Sequence, residues 1–193
     1  MLYLEPAPSI RRVETDRLLL RPLEPADAPA YAAIFAKPRV IRYLPGGEAR
    51  AGEAETRARK QIATDTELWS GEPGFGPWGA IEKQTGRLLG HIGLCMLPDL
   101  GGMTEIQYML DDTAWGKGYA TEGALAARDA AFERLGHDYL IALAMPDNQA
   151  SMHVMEKIGM NRQPGFVEAF GYELVCYDLR KEPSGAPAQV SER

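Results

Sequence analysis

This sequence is poor in residues that would cross-link it or hold a metal. Only Cys95 and Cys176 occur in 193 residues, each inside an apolar run, and no Cys-x-x-Cys or Cys/His spacing is present. A disulfide scaffold and a structural zinc site are therefore not expected. His91, His137 and His153 are scattered without ligand spacing. No run approaches the roughly 18 consecutive apolar residues of a membrane span. The opening "MLYLEPAPSIRR" lacks the charged start and long apolar stretch of a secretory signal, so a cytoplasmic protein with no membrane partner is expected. Positive charge is also short. Lys and Arg number 21 against 27 Asp and Glu, giving a net charge of −6, so nucleic acid is not an expected partner. The acidic excess is compatible with cationic substrates such as amines. The eight-residue Walker pattern is absent, and the dinucleotide pattern G-x-G-x-x-G is broken after Gly118.

What is present fits one globular α/β domain, with 45% hydrophobic and 25% charged residues. "RLLLRPL" (17–23) reads as a strand. "PADAPAYAAIFAKP" (25–38) reads as a helix that Pro25 opens and Pro38 stops, with Tyr31, Ile34 and Phe35 as its apolar stripe. Residues 48–69 carry a more polar helical pattern, and the Gly/Pro-rich 70–77 is a loop. Residues 78–97 form two strands around the turn "KQTGR". In the strand 104–111, a period of two puts Glu105, Gln107, Met109 and Asp111 on one face. A helix at 119–135 ends at Gly136, followed by a buried strand at 139–145, a helix at 148–158 and a last strand at 172–179. The domain is expected over 13–182, with 1–12 and 183–193 as flexible termini.

Chemistry concentrates at "DDTAWGKGYATEGA" (111–124). A strand feeding "WGKGYA" and then a helix aims several backbone N–H groups at one point. Gly116 and Gly118 remove side chains that would block a ligand, and the helix start adds about half a positive charge. The ligand this suits is a phosphate or pyrophosphate; a tight turn with nothing bound is the alternative. Downstream, "PDNQASMHVMEKIGM" opens a strand into a helix led by Asn148 and Ser151.

With "TDRLLLRPL" at the front and the "TGRLLGHIGL" hairpin, these segments resemble the GNAT superfamily of acyl-CoA-dependent N-acetyltransferases. The superfamily's pyrophosphate arm reads [QR]-x-x-G-x-[GA], with a later N-x-x-S helix ending in K-x-G-F. The match is to the branch that includes the ribosomal-protein alanine N-acetyltransferases, which reads W-G-[KQ]-G-Y-A-T-E at the turn. It spans about Glu14 to Glu182. Three departures stand out: Gln107 where the branch often has Gly, "GM" for "GF" at 159–160, and Met155 and Leu143 where some N-terminal acetyltransferases carry a proton-donating tyrosine and a glutamate base.

The resemblance implies a mostly antiparallel central sheet flanked by helices and splayed between its fourth strand (104–111) and fifth strand (139–145), with acyl-CoA inserted there. Backbone groups of Met109 and Leu110 would hold the pantetheine and thioester. The arm from Trp115 through Gly116, Lys117, Gly118, Tyr119 and Ala120 to Thr121 would hold the pyrophosphate, and Asn148 and Ser151 would contact the pantetheine. The implied reaction moves an acetyl group from acetyl-CoA to a primary amine by direct attack in a ternary complex, without metal. The amine belongs to a small molecule or a protein N-terminus, and a homodimer is compatible with the family. Glu105 is the candidate proton acceptor and Ser151 the candidate donor to the leaving thiolate. The plain alternatives are a solvated strand residue for Glu105 and helix-terminal hydrogen bonding for Ser151. Tyr108, on the opposite face from Glu105, reads as core. A non-catalytic acyl-CoA-binding sensor remains the rival function.

Overall fold

The computed structural model describes residues 10–71 and 74–182. One open sheet organises the chain. Its strands are β1 (Val13–Glu14), β2 (Leu18–Arg21), β3 (Pro77–Glu82), β4 (Leu88–Leu97), β5 (Met103–Leu110), β6 (Tyr139–Ala144), β7 (Asn161–Arg162), β8 (Val167–Ala169) and β9 (Tyr172–Arg180). They lie in the order β1-β2-β3-β4-β5-β6-β9-β7, with β8 paired to β9. Every pairing is antiparallel except β5 with β6, which run parallel. The expected fourth and fifth strands are β5 and β6, displaced by one because β1 precedes them.

The helices are α1 (Ala28–Phe35), α2 (Pro38–Ile41), α3 (Ala54–Ser70), α4 (Tyr119–Glu133) and α5 (Gln149–Lys157). They cover both faces of the sheet. Ile92, Leu94, Ile106 and Leu110 pack with Ala124, Ala127 and Ala131 of α4 and Met152 and Met155 of α5. Alanines at this helical spacing give α4 a buried stripe short enough to sit close to the strands. Tyr31, Ile34, Phe35, Ala58 and Ile62 form a second cluster with Ile81, Leu88 and Met109. Alternation along β5 separates the two clusters: Ile106 and Leu110 point one way and Met109 the other.

Several boundaries differ from the sequence reading. The helix expected over 25–38 ends ahead of Pro38, as expected, but is shorter at its start, and Pro38 also opens a further helix. A 3-10 turn at Pro25–Asp27 precedes α1, Lys37 is extended (φ −88, ψ 111), and Pro38 opens α2. A residue before proline is pushed out of the helical region, whereas proline itself suits a first helical position. The polar helix expected over 48–69 begins as a 3-10 segment, Gly47–Glu53, before α3. Residues 10–12, expected to fray, pack instead: Ile10 is fully buried, its carbonyl accepts the Trp78 indole N–H at 3.1 Å, and Arg11 reaches the Trp69 carbonyl at 3.0 Å. The remaining expected termini, 1–9 and 183–193, lie outside the described residues.

The buried stripe of α3 is Ala54, Ala58, Ile62, Asp65 and Trp69. An aspartate in that row is unusual. Asp65 is 1% exposed; Gln61 donates to its Oδ1 at 2.8 Å, and its Oδ2 has no partner among the described residues. Burial pushes its carboxyl up to about 7, only partly opposed by the Gln61 hydrogen bond. The folded state thus holds a proton that the unfolded chain, with a carboxyl near 3.9, releases earlier. Stability is therefore lost as pH rises from about 4 to 7. In denaturant melts at pH 5 and pH 8, the native chain should lose about 2–3 kcal/mol more across that interval than Asp65→Asn does. Equal losses would mean that Asp65 is not buried as described.

Candidate active site

The turn after β5 is built from its first residue. Asp111 accepts the Thr113 N–H at 2.8 Å and caps a 3-10 turn over Asp112–Ala114. Lys37 bridges Asp111 (2.9 Å) and Asp112 (2.8 Å), tying the α1–α2 connection to the turn. Burial alone would raise Asp111, but bonds from Thr113 and Lys37 bring its carboxyl down to about 2. The Trp115 indole N–H donates to the Leu110 carbonyl at 2.8 Å, and Arg39 lies over its ring at 5.5 Å. Gly116 and Gly118 have φ of 71° and 82°, the left-handed region that glycine enters at little cost. Gly118 is the N-cap of α4 and supplies no side chain to cap it. Among the described residues, none of the backbone N–H groups from Gly116 to Thr121 has a protein acceptor. The first turn of α4 therefore presents unpaired donors and the positive end of its dipole at the exposed turn.

A network the sequence reading missed holds this turn to the connection between β1 and β2. Glu122 accepts from the Thr15 hydroxyl, from the Arg17 backbone N–H at 2.9 Å and from Arg17 Nε at 2.6 Å. The same guanidinium donates to the Lys117 carbonyl at 2.8 Å and lies over the Tyr119 ring at 4.5 Å. Burial would raise Glu122, yet the bonds from Thr15 and Arg17 hold its carboxyl below the usual range. Thus "TDR" at 15–17 and the "TE" of 121–122, far apart in sequence, form one fastening. Lys117 itself is exposed.

Beside the turn the sheet opens. The pairing of β5 with β6 has a single register pair, Glu105 with Ile141. Beyond it, among the described residues, the β6-facing edge of β5 has no strand partner. The Asp111 N–H bonds to the Leu89 carbonyl of β4, so alternation turns the backbone of Met109 toward β4 and leaves backbone groups of Tyr108 and Leu110 lining a gap. Glu105 stands where the strands part. It is 8% exposed, and its Oε1 accepts the Leu143 N–H at 3.3 Å. Burial pushes its carboxyl up to about 7, against a smaller lowering by that hydrogen bond. Alternation places Glu105 with Gln107 and Met109, and Met109 packs in the second cluster while Ile106 and Leu110 pack in the first. Cys95 is the cross-strand neighbour of Glu105 on β4.

Asn148 and Ser151 lie across the gap. Asn148 caps α5, its Oδ1 accepting the Ser151 N–H at 3.2 Å. Tyr108 is more than core packing. Its hydroxyl donates to the Ser151 carbonyl at 2.9 Å and pairs with Ser151 Oγ at 3.0 Å. That bond spans from β5 to α5. Burial holds the Tyr108 hydroxyl well above its ordinary range, so it remains a neutral donor. Alternation sends Glu105 and Tyr108 to opposite faces of β5, so Glu105 and Ser151 approach the opening from opposite sides. Met155 is buried in the core beneath α5. The signal for Tyr108 lay in its spacing from Glu105, but its partner is 43 residues away.

His91 and three aromatic side chains beside the Gly/Pro-rich loop are structural. His91 Nδ1 pairs with the Tyr31 hydroxyl at 2.6 Å, and burial pushes the ring down to about 4, keeping it neutral. Trp69, Phe75 and Trp78 are buried, with the Trp69 indole on the Pro77 carbonyl at 3.0 Å. Among the described residues no cluster could hold a metal, and no helix is long and apolar enough to cross a membrane.

Comparison with known proteins agrees with this geometry. Residues 17–161 match the family model described as an acetyltransferase (GNAT) domain. The chain is 31% identical over 161 residues to the uncharacterized N-acetyltransferase YoaA of Bacillus subtilis, covering 83% of this chain and 88% of the relative. Its structure superimposes on an acetyltransferase from Agrobacterium tumefaciens with a TM-score of 0.74 at 30% identity, covering 94% of this chain and 98% of the other. The fold is also shared with RimL, a ribosomal L7/L12 alpha-N-protein acetyltransferase solved in complex with coenzyme A, at a TM-score of 0.70 and 17% identity, covering 86% of this chain and 95% of the other.

The fastening of the turn gives a direct expectation. Glu122→Ala leaves the Arg17 guanidinium and the Thr15 hydroxyl without their acceptor. It should lower unfolding free energy by about 1–3 kcal/mol in guanidinium melts. Arg17→Ala should cost less, because its side chain is half exposed and screened. A Glu122→Ala protein as stable as the native chain would show that the network is not holding the turn.

Proposed function

This chain belongs to the GNAT acetyltransferase family, and from that premise we propose that it transfers an acetyl group from acetyl-CoA to a primary amine. The observation that carries the reading is Glu105. It is a buried carboxylate at the one point where β5 and β6 pair before separating, beside a turn of unpaired backbone donors. That combination suits a base held next to an extended phosphate-bearing ligand.

In this reading the N–H groups from Gly116 to Thr121 bind the pyrophosphate, with Trp115, Lys117, Tyr119 and Ala120 forming the surrounding arm. The free edge of β5 at Tyr108 and Leu110, on either side of Met109, pairs with the pantetheine as an added strand would. The carbonyl of Leu110 already accepts the Trp115 indole, so its part is to orient that tryptophan. Asn148 shapes the α5 start against the same ligand. The acceptor ammonium passes one proton to the Glu105 carboxylate, directly or through one water, and the neutral nitrogen attacks the thioester carbonyl. A gap-facing backbone N–H of β5, at Tyr108 or Leu110, steadies the oxygen as negative charge develops there. The carbon–sulfur bond then breaks; Ser151 Oγ gives its proton to the thiolate and regains the second proton of the nitrogen through water, while the Tyr108 hydroxyl holds Ser151 in position. An α-amine or comparable small amine is favoured, since a model α-amine loses its proton near 8 and a lysine near 10.4. A carboxyl near 7 is closer to the former. The alpha-N-protein acetylation named for RimL is consistent with that preference.

Two measurements test the reading. Acetyl-CoA at 100 times its Kd should stabilise the fold by about 2.7 kcal/mol, seen as a rise in Tm. Gly118→Val, which forces a β-branched side chain into a left-handed turn, should remove the shift. An unchanged Tm at millimolar acetyl-CoA would sink cofactor binding here. For the base, kcat/KM should rise with pH through about 7 as Glu105 loses its proton. Glu105→Gln should remove that limb and cut kcat by about 10²-fold or more, with the acetyl-CoA shift retained. Full turnover in Glu105→Gln across pH 6 to 9 would make the residue structural. Binding with no turnover on any amine would instead favour a sensor.

A further inference from the structure

A cleft of about 470 Å³ opens between the β4–β5 connection (97–100) and the β8–β9 hairpin (168–173). Its walls bring together Asp99, Glu168 and Glu173 with the rings of Phe170 and Tyr172, and no lysine, arginine or histidine lines it. All three carboxylates are exposed, and among the described residues none forms an ion pair. Phe170 is 56% exposed and Tyr172 36%, two of only four large hydrophobic side chains so exposed among the described residues. The hairpin is anchored, because the Tyr172 hydroxyl accepts the Gly46 N–H at 3.1 Å. Anionic groups and aromatic faces around one cavity suit the same guest, an organic cation. The carboxylates supply charge, and the rings receive a partly desolvated ammonium or guanidinium.

The cleft is built on strands near the candidate base, which does not itself line it. Leu97 pairs with Met103, and Glu105 follows two residues further along β5, roughly 7 Å away. On the other wall, Glu173 is three residues, roughly 10 Å, from Cys176. Cys176 pairs with Leu143, whose N–H bonds to Glu105. One wall thus extends β4 and β5, and the other extends β9, which lies two strands from that carboxylate.

We propose that this cleft binds a second positive charge on the acceptor, so that the preferred substrate is an amine carrying another cationic group roughly 10–15 Å from the reacting nitrogen. The inference rests on the acetyl-transfer reading for the reacting end. The acceptor's second charge neutralises the carboxylates of Glu168 and Glu173 and stacks against Phe170, while its first amine is presented to Glu105. A basic peptide N-terminus and a polyamine share this chemistry.

The test compares N-terminal tripeptides that differ only in Lys, Gln or Glu at the second and third positions, and a polyamine with an alkyl monoamine of the same length. At low ionic strength the cationic member of a set should show a KM at least about tenfold lower than the neutral one, a gap that added salt narrows. Which set shows it identifies the source of the charge. The double variant Glu168→Gln/Glu173→Gln should lose most of the gap, and Phe170→Ala part of it, with Tm confirming that each is folded. Equal KM values across charges, or a full gap in the double variant, would overturn the proposal. If no amine is acetylated, the acetyl-transfer reading fails separately. Binding of the Lys tripeptide and the polyamine, followed by intrinsic fluorescence, then decides the cleft. Saturable binding of either that the double variant loses supports it, and no binding of either at millimolar concentration ends it.

Discussion

The parting of β5 from β6 after a single register pair is the constraint on which the rest of the site depends. Two parallel strands that stayed together would satisfy each other's backbone groups and leave nothing for a ligand. Because they separate, Leu143 has an N–H facing the gap and Glu105 has a place to stand. Each meets the need of the other through one hydrogen bond. On the far face, Tyr108 reaches across to Ser151 and holds α5 against β5 where no ladder does so. The opening is therefore a built feature, closed at its ends by side chains.

Burial decides what the ionisable groups of this region can do. Glu105, Asp65 and His91 are all buried and all shifted toward their neutral forms. The direction is the same because desolvation is the largest cause in each case. Their uses differ with their partners. His91 has a hydroxyl partner and remains a neutral packing element. Asp65 has half a partner and costs stability. Glu105 has a backbone N–H on one oxygen and stands at the edge of the gap, where its raised carboxyl is suited to exchange a proton near neutrality.

Much of this was legible in the sequence, and the limits are physical. The glycine turn, the strand with Glu105, Gln107 and Met109 on one face, and the helix opened by Asn148 follow from short-range rules of spacing and capping, and all appear in the structure. What escaped was of two kinds. Short edge strands such as β1, β7 and β8 have two or three residues, too few to show a period, and exist only because a longer strand lies beside them. Long-range partners escaped as well. Nothing local says that Glu122 will bind Arg17 from 105 residues away or that Tyr108 will meet Ser151. Pro38 ends its helix as expected, yet a proline that ends one helix is equally suited to begin the next.

The turn illustrates why those long-range contacts matter to binding as well as to stability. Glycines at 116 and 118 allow the left-handed backbone that aims the donors, but the same freedom makes the unbound turn costly to order. A loop that must be ordered by its ligand spends part of the interaction on doing so. Here the ordering comes from protein groups. Arg17 grips the Lys117 carbonyl on one side of Gly118 and Glu122 on the other, and Lys37 grips Asp111 and Asp112 upstream. All of these contacts bind carbonyls and carboxylates, so they consume acceptors and leave the N–H groups unpaired. A turn fastened by its acceptors and left with unpaired donors is preorganised for an anion.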